Sequence, residues 1–187
     1  RIFLEEKPNI PTYFFALGIS VFIFAFFIGL YLASHNGWPI LLFSFLGFLG
    51  AYFYVGPPIR WAYRGLGEIV IAFSYGPFMV LGSYYLQTKR IDMPPFIISL
   101  ILGLLIFSLA IVNEIPDYYQ DKLVGKRNLV VRLGKQGAVK LFSLCLISIF
   151  ILLGIGIGFQ RIPNLSIFAF LLLPLVLKNI NIAKLHY

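Results

Sequence analysis

Long uncharged apolar stretches alternate with short polar segments along the 187-residue chain. Most of these stretches approach the roughly 20 residues that cross a bilayer as an α-helix. The last is the shortest, and its helix could run on through Ile180 or Ala183 if the side chain of Lys178 reaches the membrane interface. The pattern predicts six membrane helices, over residues 12–34, 37–59, 69–88, 93–113, 141–160 and 162–177.

The overall composition agrees with this pattern. Hydrophobic residues make up 60% of the chain and charged residues 12%, with a mean hydropathy of +0.91. A soluble domain carries about twice this share of charge. No linker or internal repeat divides the sequence, so we expect residues 1–187 to form a single all-α integral membrane bundle.

The positions of the cations predict the orientation in the membrane. When the loops are assigned alternately to the two sides, one side receives twelve of the fifteen lysines and arginines, and the other receives Lys89, Arg90 and Arg161. Cytoplasmic loops carry such an excess of cations. We therefore expect a multi-pass protein of the cell membrane with the 57–68 and 114–140 loops in the cytoplasm. The cations lie beside predicted membrane helices rather than in a soluble basic domain, so the lipid bilayer is an expected partner and nucleic acid is not.

The scarce charges concentrate between residues 113 and 127. If the helix continues through Pro116, then Asn113, Asp117 and Asp121 recur every four residues and share one face, with Glu114 beside them. Two adjacent carboxylates repel each other unless a cation lies between them, and a divalent metal ion such as Mg²⁺ is the simplest one. The alternative is an exposed charged loop beyond the membrane edge, in which the carboxylates and lysines are only solvated.

A second polar cluster occupies residues 54–68, where Pro57 and Pro58 end a predicted helix. Arg60 and Arg64 in this loop fall on the same predicted side as the acidic segment. They could simply set the topology of the chain. If the ligand is a diphosphate, the guanidinium groups would bind its oxygens while Mg²⁺ bridges phosphate to carboxylate.

These residues resemble a known family. The sequence Asn-Glu-x-Pro-Asp-x-x-x-Asp-Lys-x-x-Gly-Lys-Arg over residues 113–127 is similar to the second aspartate-rich motif of the UbiA-type membrane prenyltransferases. The segments Tyr-Arg-Gly-Leu-Gly-Glu at 63–68 and Gly-Pro to Leu-Gln at 76–87 resemble the branch that prenylates 1,4-dihydroxy-2-naphthoate in menaquinone synthesis. The resemblance covers roughly residues 50–145.

The resemblance implies a fold of nine membrane helices in which two aspartate-rich loops face each other across a cytoplasmic cavity. It assigns Asp117 and Asp121 as Mg²⁺ ligands and Asn113 as a supporting polar residue. The residues it assigns to the diphosphate are Tyr54, Arg60, Arg64, Lys122, Lys126 and Arg127. The family's first motif, Asn-Asp-x-x-x-Asp, has no match among the three aspartates of this sequence. We therefore expect a fragment with six of the nine helices.

The function implied is Mg²⁺-dependent transfer of a polyprenyl group from its diphosphate to an aromatic acceptor, with no protein partner predicted. The acceptor is 1,4-dihydroxy-2-naphthoate or another ring such as 4-hydroxybenzoate or homogentisate. A CDP-alcohol phosphotransferase would need an Asp-Gly-x-x-Ala-Arg segment, which the chain lacks. A cation-coupled transporter remains an alternative, with Asn113, Glu114 and Asp117 as intramembrane polar groups and Pro116 breaking the helix.

Overall fold

A computed structural model describes residues 12–187 of the chain. The chain divides into two compact units, one ending at Ser44 and the other extending from Phe45 to Tyr187.

The first unit contains helix α1 (Thr12–Asn36) and the beginning of helix α2 (Pro39–Val55). Gly37 ends α1 in a left-handed conformation, with φ of 91°, and its N–H donates a 2.7 Å hydrogen bond to the carbonyl of Ala33. This is a common way for a helix to stop. Pro39 then begins α2 at the first helical position, where its missing N–H removes no helical hydrogen bond.

The second unit contains the remainder of α2 and the following helical elements. In chain order these are a 3₁₀ turn (Trp61–Tyr63), α3 (Gly67–Phe73), a π-helical turn (Ser74–Phe78), α4 (Met79–Thr88), α5 (Met93–Glu114), α6 (Tyr118–Leu123), α7 (Leu129–Gly158), a 3₁₀ helix (Asn164–Leu172) and α8 (Leu173–His186). The segments α3, π-helical turn and α4 follow one another without a break and form one membrane-length helix, Gly67–Thr88.

The core of the second unit lies where α5, α7 and α8 pack together. Ile111 and Ile115 are fully buried there, together with Val130 and Phe142 from α7 and Ile180 from α8. In a membrane such side chains hold helices together by van der Waals packing rather than by transfer from water, because lipid tails are equally apolar. This packing holds the end of α5 against the beginning of α7, where most of the polar residues lie.

Within residues 12–187, five helices are long and apolar enough to cross a membrane, and α2 is shorter at 17 residues. The five spans are Ala16–Asn36, Gly67–Thr88, Met93–Glu114, Leu129–Gly158 and Asn164–His186. The last of them extends beyond Lys178 and Ala183. This agrees with the predicted alternative in which the last helix continues past residue 177. The all-helical membrane class is confirmed.

The predicted start of the fifth of the six expected helices was wrong. We expected it to begin at residue 141, beyond the last charged residue of the loop, but α7 begins at Leu129. Asn128 caps this earlier start, and Gly134 (φ 72°, ψ 165°) kinks the helix between its first turn and its long apolar part. The charged residues suggested a later start than the true one, because a capped turn with polar residues extends the helix before the apolar stretch.

Candidate functional site

The acidic segment forms two helical pieces, so the condition of a helix continuing through Pro116 is not met. Helix α5 ends at Glu114 and α6 begins at Tyr118. Pro116 has no N–H to donate to the preceding turn, and its ring disfavours a helix interior. Asn113 therefore lies on α5, whereas Asp117 and Asp121 both belong to the α6 turn.

Asp117 and Asp121 remain one helical turn apart. Asp117 precedes α6 at its N-cap position, and its carbonyl accepts a 2.9 Å hydrogen bond from the N–H of Asp121. Residues with this spacing are neighbours on a helix surface. Asp117 and Asn113 have exposed side chains, while Asp121 is half-buried.

Asp121 is held by two donors from the segment that follows it. Its Oδ2 accepts a 2.9 Å hydrogen bond from Nζ of Lys126 and a 2.7 Å hydrogen bond from Nδ2 of Asn128. Both donors use the same oxygen, so Oδ1 is the carboxylate oxygen left to bind a metal ion. Charge-assisted hydrogen bonds of this kind also fix the orientation of the carboxylate.

Lys126 lies between two carboxylates. Its Nζ is 2.9 Å from Asp121 and 3.9 Å from Oε1 of Glu114. Partial burial opposes the charge on Lys126, but the hydrogen bond to Asp121 and the charges of Glu114 and Asp121 outweigh this effect and raise the pKa of Lys126 above its ordinary value. Lys126 is therefore a cation throughout the neutral pH range.

A cationic cleft of ≈ 570 Å³ adjoins this ion pair. We use the name cationic cleft for the cavity lined by Lys122, Gly125, Lys126, Arg127, Val131 and Arg132. Four of these six side chains carry a positive charge. Such a concentration of cations suits a multiply charged anion, and guanidinium groups bind phosphate oxygens in a bidentate manner.

The 54–68 loop contacts the cleft through its backbone. The carbonyl of Tyr63 accepts a 3.1 Å hydrogen bond from the N–H of Arg127. Gly65 has a φ of 69°, and a Cβ at this position would lie 2.8 Å from Nε of Arg132. Glycine is therefore required there both by the backbone conformation and by the close approach of the arginine.

The two arginines predicted to bind diphosphate have exposed side chains in this loop. The guanidinium of Arg64 donates a 3.1 Å hydrogen bond to the carbonyl of Pro58, within its own loop. Arg60 adopts a left-handed conformation, with φ of 51°. Neither residue lines the cationic cleft. Of the six residues predicted for the diphosphate, the cleft brings together Lys122, Lys126 and Arg127.

Tyr54 lies near the same cluster, where it interacts electrostatically with Glu114, Lys126 and Glu68. Its ring also packs beside Gly67, since a Cβ on that glycine would lie 3.2 Å from the tyrosine Cε2. This position agrees with the predicted role of Tyr54 beside the ligand, although that role stays a prediction.

Sequence reasoning missed three residues of this region. Glu68 is buried and accepts a 2.7 Å hydrogen bond from the N–H of Leu129. Asn128 is buried beside Asp121, and Arg132 lines the cleft. An available signal was the asparagine directly before a helical apolar run, which is typical of an N-cap.

The carboxylates of this region are potential ligands for a metal ion. Within residues 12–187, no group of three or more acidic, histidine or cysteine side chains is arranged to hold a metal. Mg²⁺, however, is usually bound by one or two carboxylates together with substrate phosphates and water rather than by a complete protein cage. Asp121, which is bonded to Lys126 of the cationic cleft, and Asp117 one helical turn before it fit that mode of binding.

Comparisons with known proteins identify several relatives. The chain is 29% identical over 133 residues to the 1,4-dihydroxy-2-naphthoate octaprenyltransferase of Bacillus subtilis, an overlap of 71% of this chain and 43% of that protein. It is 35% identical over 113 residues to the Haemophilus influenzae protein of the same name, covering 59% of this chain and 36% of that protein. It is also 29% identical over 169 residues to the digeranylgeranylglyceryl phosphate synthase of Pyrococcus horikoshii, covering 87% and 54%.

The chain thus spans about half, or less, of the length of these relatives. No solved structure gives a significant match. The family comparison covers nearly the whole chain, because residues 12–185 match the UbiA prenyltransferase family. Since that match includes both the apolar helices and the α6–α7 segment with its paired aspartates, this multi-pass membrane protein belongs to the UbiA prenyltransferase family.

Proposed function

We propose that the protein transfers a polyprenyl group from a polyprenyl diphosphate to an aromatic acceptor, and that this acceptor is 1,4-dihydroxy-2-naphthoate. The observation that carries the proposal is the cationic cleft directly beside Asp121 and Lys126. An anion site next to carboxylates suits a substrate whose diphosphate is bound partly by cations and partly through a metal ion.

Lys122, Lys126 and Arg127 neutralise the diphosphate in this proposal, and Arg132 adds a fourth cation. Charge builds up on the diphosphate as its bond to the prenyl carbon breaks. Cations already held in place stabilise that charge more than they stabilise the bound substrate, so they accelerate bond breaking. Arg60, Arg64 and Tyr54 of the 54–68 loop remain proposed diphosphate ligands, although neither arginine lines the cationic cleft in this structure.

Asp117 and Asp121 would hold Mg²⁺, with Asn113 as a supporting polar residue on α5. Bound Mg²⁺ would neutralise the diphosphate oxygens and so improve the leaving group. The protein's own contribution is to orient Asp121, which Lys126 and Asn128 do through its Oδ2. The resulting arrangement leaves Oδ1 to face the ligand.

The reaction breaks the C–O bond between the prenyl group and the diphosphate, and the electron pair leaves with the diphosphate. An electron-rich ring carbon of the acceptor forms the new C–C bond to the allylic cation. The ring regains its aromaticity when that carbon loses a proton or, if it bears a carboxyl group, carbon dioxide. Aromatic side chains could stabilise the cation through their ring faces.

We further propose that the protein lies in the cell membrane with its active-site loops in the cytoplasm. The excess of cations on the predicted cytoplasmic side supports this orientation. The long apolar prenyl chain would then remain in the bilayer while the diphosphate reaches the cationic cleft.

The acceptor assignment is supported by relatives named 1,4-dihydroxy-2-naphthoate octaprenyltransferase. A second candidate follows from the synthase of Pyrococcus horikoshii, whose match covers more of the chain and whose name indicates a glyceryl phosphate product. The test incubates membranes containing the whole protein with labelled polyprenyl diphosphate, Mg²⁺ and one acceptor at a time. The acceptors are 1,4-dihydroxy-2-naphthoate, 4-hydroxybenzoate, homogentisate and a prenylated glyceryl phosphate.

We expect Mg²⁺-dependent release of diphosphate and a prenylated 1,4-dihydroxynaphthalene with the first acceptor alone. Transfer to another acceptor would retain the prenyltransferase and reject the naphthoate. Solute uptake driven by an ion gradient, with no transfer to any acceptor, would favour the transporter alternative.

A further inference from the structure

Glu68 lies 61 residues before its hydrogen-bond partner in the chain and is almost completely buried, with 1% of its surface exposed. Its Oε1 accepts a 2.7 Å hydrogen bond from the N–H of Leu129, the first residue of α7. The first N–H groups of a helix have no partner within the helix, so a carboxylate placed there binds one of them and is stabilised by the helix dipole.

Asn128 occupies the N-cap of the same helix and is also completely buried. Its Oδ1 accepts a 2.8 Å hydrogen bond from the N–H of Val131, and its Nδ2 donates to Oδ2 of Asp121. Reversing the amide would break both hydrogen bonds, so the two contacts fix its orientation. The side chain that caps α7 therefore also orients Asp121.

These contacts form a continuous connection from Glu68 to Asp121. Glu68 accepts a hydrogen bond from the N–H of Leu129, and the preceding residue, Asn128, caps the same helix. The side chain of Asn128 in turn donates a hydrogen bond to Asp121. Helix α6, which carries Asp121, has only six residues. A helix this short is not stable by itself, so the position of the aspartate depends on contacts outside α6.

The burial of Glu68 is not explained by stability alone. Among the described residues, its Oε2 is buried without a hydrogen-bond donor, and so is Oε2 of Glu114, a second carboxyl within hydrogen-bonding reach of Glu68. A buried carboxyl oxygen without a hydrogen-bond donor costs free energy. Glutamine or an apolar residue would avoid a second carboxyl beside Glu114, yet Glu68 places its other oxygen on the helix start that carries Asn128.

We propose that Glu68 is a positioning residue that acts through the N-terminus of α7 and Asn128 to orient Asp121 toward the metal-bound diphosphate. This inference rests on the proposed function, because the ligand is the diphosphate of that reaction. The hydrogen bonds that connect Glu68 with Asp121 are present in the structure whatever the ligand is. Groups that orient a metal ligand typically change metal affinity or activity by about 10–100-fold when they are removed.

Three variants in the whole protein separate positioning from folding. Glu68→Leu removes the acceptor for the Leu129 N–H, whereas Glu68→Gln keeps an oxygen there. Asn128→Asp keeps the cap oxygen for Val131 but replaces the donor to Asp121 with a second carboxylate oxygen. The matched control is Ser108→Ala, which removes a buried hydroxyl that bonds only to Leu104 in its own helix.

The first readout is the Mg²⁺ concentration that gives half-maximal diphosphate release. We expect Glu68→Leu and Asn128→Asp each to raise it about tenfold with little change in the KM of the acceptor. Glu68→Gln should restore most of the affinity, and Ser108→Ala should match the wild type. Because both residues act on the same aspartate, the effects of Glu68→Leu and Asn128→Asp should not add in the double variant.

The second readout needs no turnover. Hydrogen–deuterium exchange over residues 117–127 should be faster in Glu68→Leu than in wild type and Ser108→Ala, because α6 loses its anchor. A lower unfolding temperature with unchanged Mg²⁺ dependence and unchanged exchange over 117–127 would overturn the positioning role. If Glu68→Leu does not accumulate in the membrane, the Mg²⁺ dependence and the exchange over residues 117–127 of Asn128→Asp decide whether the positioning role stands.

The two proposals fail in different ways. If the wild type transfers no prenyl group to any acceptor, the proposed function is wrong, and the exchange experiment still judges the connection between Glu68 and α6. If the wild type is active and Glu68→Leu and Asn128→Asp both keep its Mg²⁺ dependence, only the positioning role is wrong.

Discussion

Nζ of Lys126 lies 2.9 Å from Oδ2 of Asp121, so a cation of the cationic cleft and a predicted metal ligand form one hydrogen-bonded pair. Lys126 also approaches Glu114 at 3.9 Å. A single lysine therefore connects the end of α5, the α6 turn and the cleft. A change at Lys126 or Asp121 should affect both the carboxylate and the anion site.

Loss of either predicted metal ligand should abolish activity without preventing folding. Asp117→Asn and Asp121→Asn each remove one carboxylate charge, and we expect prenyl transfer to fall by about 100-fold or more at saturating Mg²⁺. Membrane insertion should be unchanged, since neither side chain belongs to the buried core. The measurement is labelled prenyl transfer, normalised to the amount of protein in the membrane.

The matched control for the carboxylates is Asp92→Asn. Asp92 lies before α5 and accepts a hydrogen bond from the hydroxyl of Tyr84. This third aspartate should be dispensable for transfer. Equal losses in all three variants would argue that the defect is general and that the ligand assignment is mistaken.

Replacing Lys126 should weaken binding of the diphosphate more than binding of the acceptor. Lys126→Gln removes a cation from the cleft and leaves Asp121 and Glu114 facing each other without their shared partner. We expect the KM for polyprenyl diphosphate to rise about tenfold and Lys126→Arg to recover part of the loss. Because the pKa of Lys126 is raised, its contribution should persist at neutral pH and decline only as the pH rises through that raised value.

Lys140→Gln provides the comparison for Lys126. Lys140 is an exposed cation on α7 that does not line the cleft. Its loss should leave the KM for diphosphate within about twofold of the wild type, as expected for a screened surface charge. An equal rise in both variants would show that overall charge, rather than the cleft, governs the affinity.

A glycine contact between two helices should be important for stability. A Cβ on Gly76 would lie 2.7 Å from Cα of Gly103 and 2.7 Å from the carbonyl oxygen of Ser99. Small residues at such crossings allow membrane helices to approach closely. Gly76→Ala should therefore destabilise the protein by about 1–3 kcal/mol, measured as a lower unfolding temperature in detergent.

The control for this steric effect is Gly158→Ala, at the end of α7. Nothing lies within 4 Å of a Cβ at this position. Alanine reduces the freedom of the unfolded chain, so stability should be unchanged or slightly higher. A comparable loss at both positions would contradict the close-packing explanation.

The orientation in the membrane can be tested by cysteine labelling, because the chain has a single cysteine, Cys145. In a Cys145→Ser background, a cysteine at the exposed Gln120 should react with an impermeant reagent only from the cytoplasmic side. One at the exposed Ile91 should react only from the opposite side. The opposite pattern would overturn the cytoplasmic assignment of the site.

The α5–α6 boundary illustrates the limits of sequence reasoning. Spacing predicts that Asp117 and Asp121 lie one turn apart, and they do, because the intervening residues form a helical turn. The shared face with Asn113 depended on a helix that continues through Pro116, and this condition is not met. Pro116 was visible in the sequence, but only the packed structure shows that the chain ends one helix and begins another there.

The sequence by itself determined the membrane class, the positions of most helices and the paired aspartates, since hydrophobicity, charge and motif spacing are properties of neighbouring residues. The tertiary structure decided which distant groups surround them. Glu68 reaches the start of α7 across 61 positions, and Arg132 joins the cleft beside Gly65. Such contacts arise from the packing of α3, α5 and α7, and no local pattern of residues encodes which helices pack together or in which register.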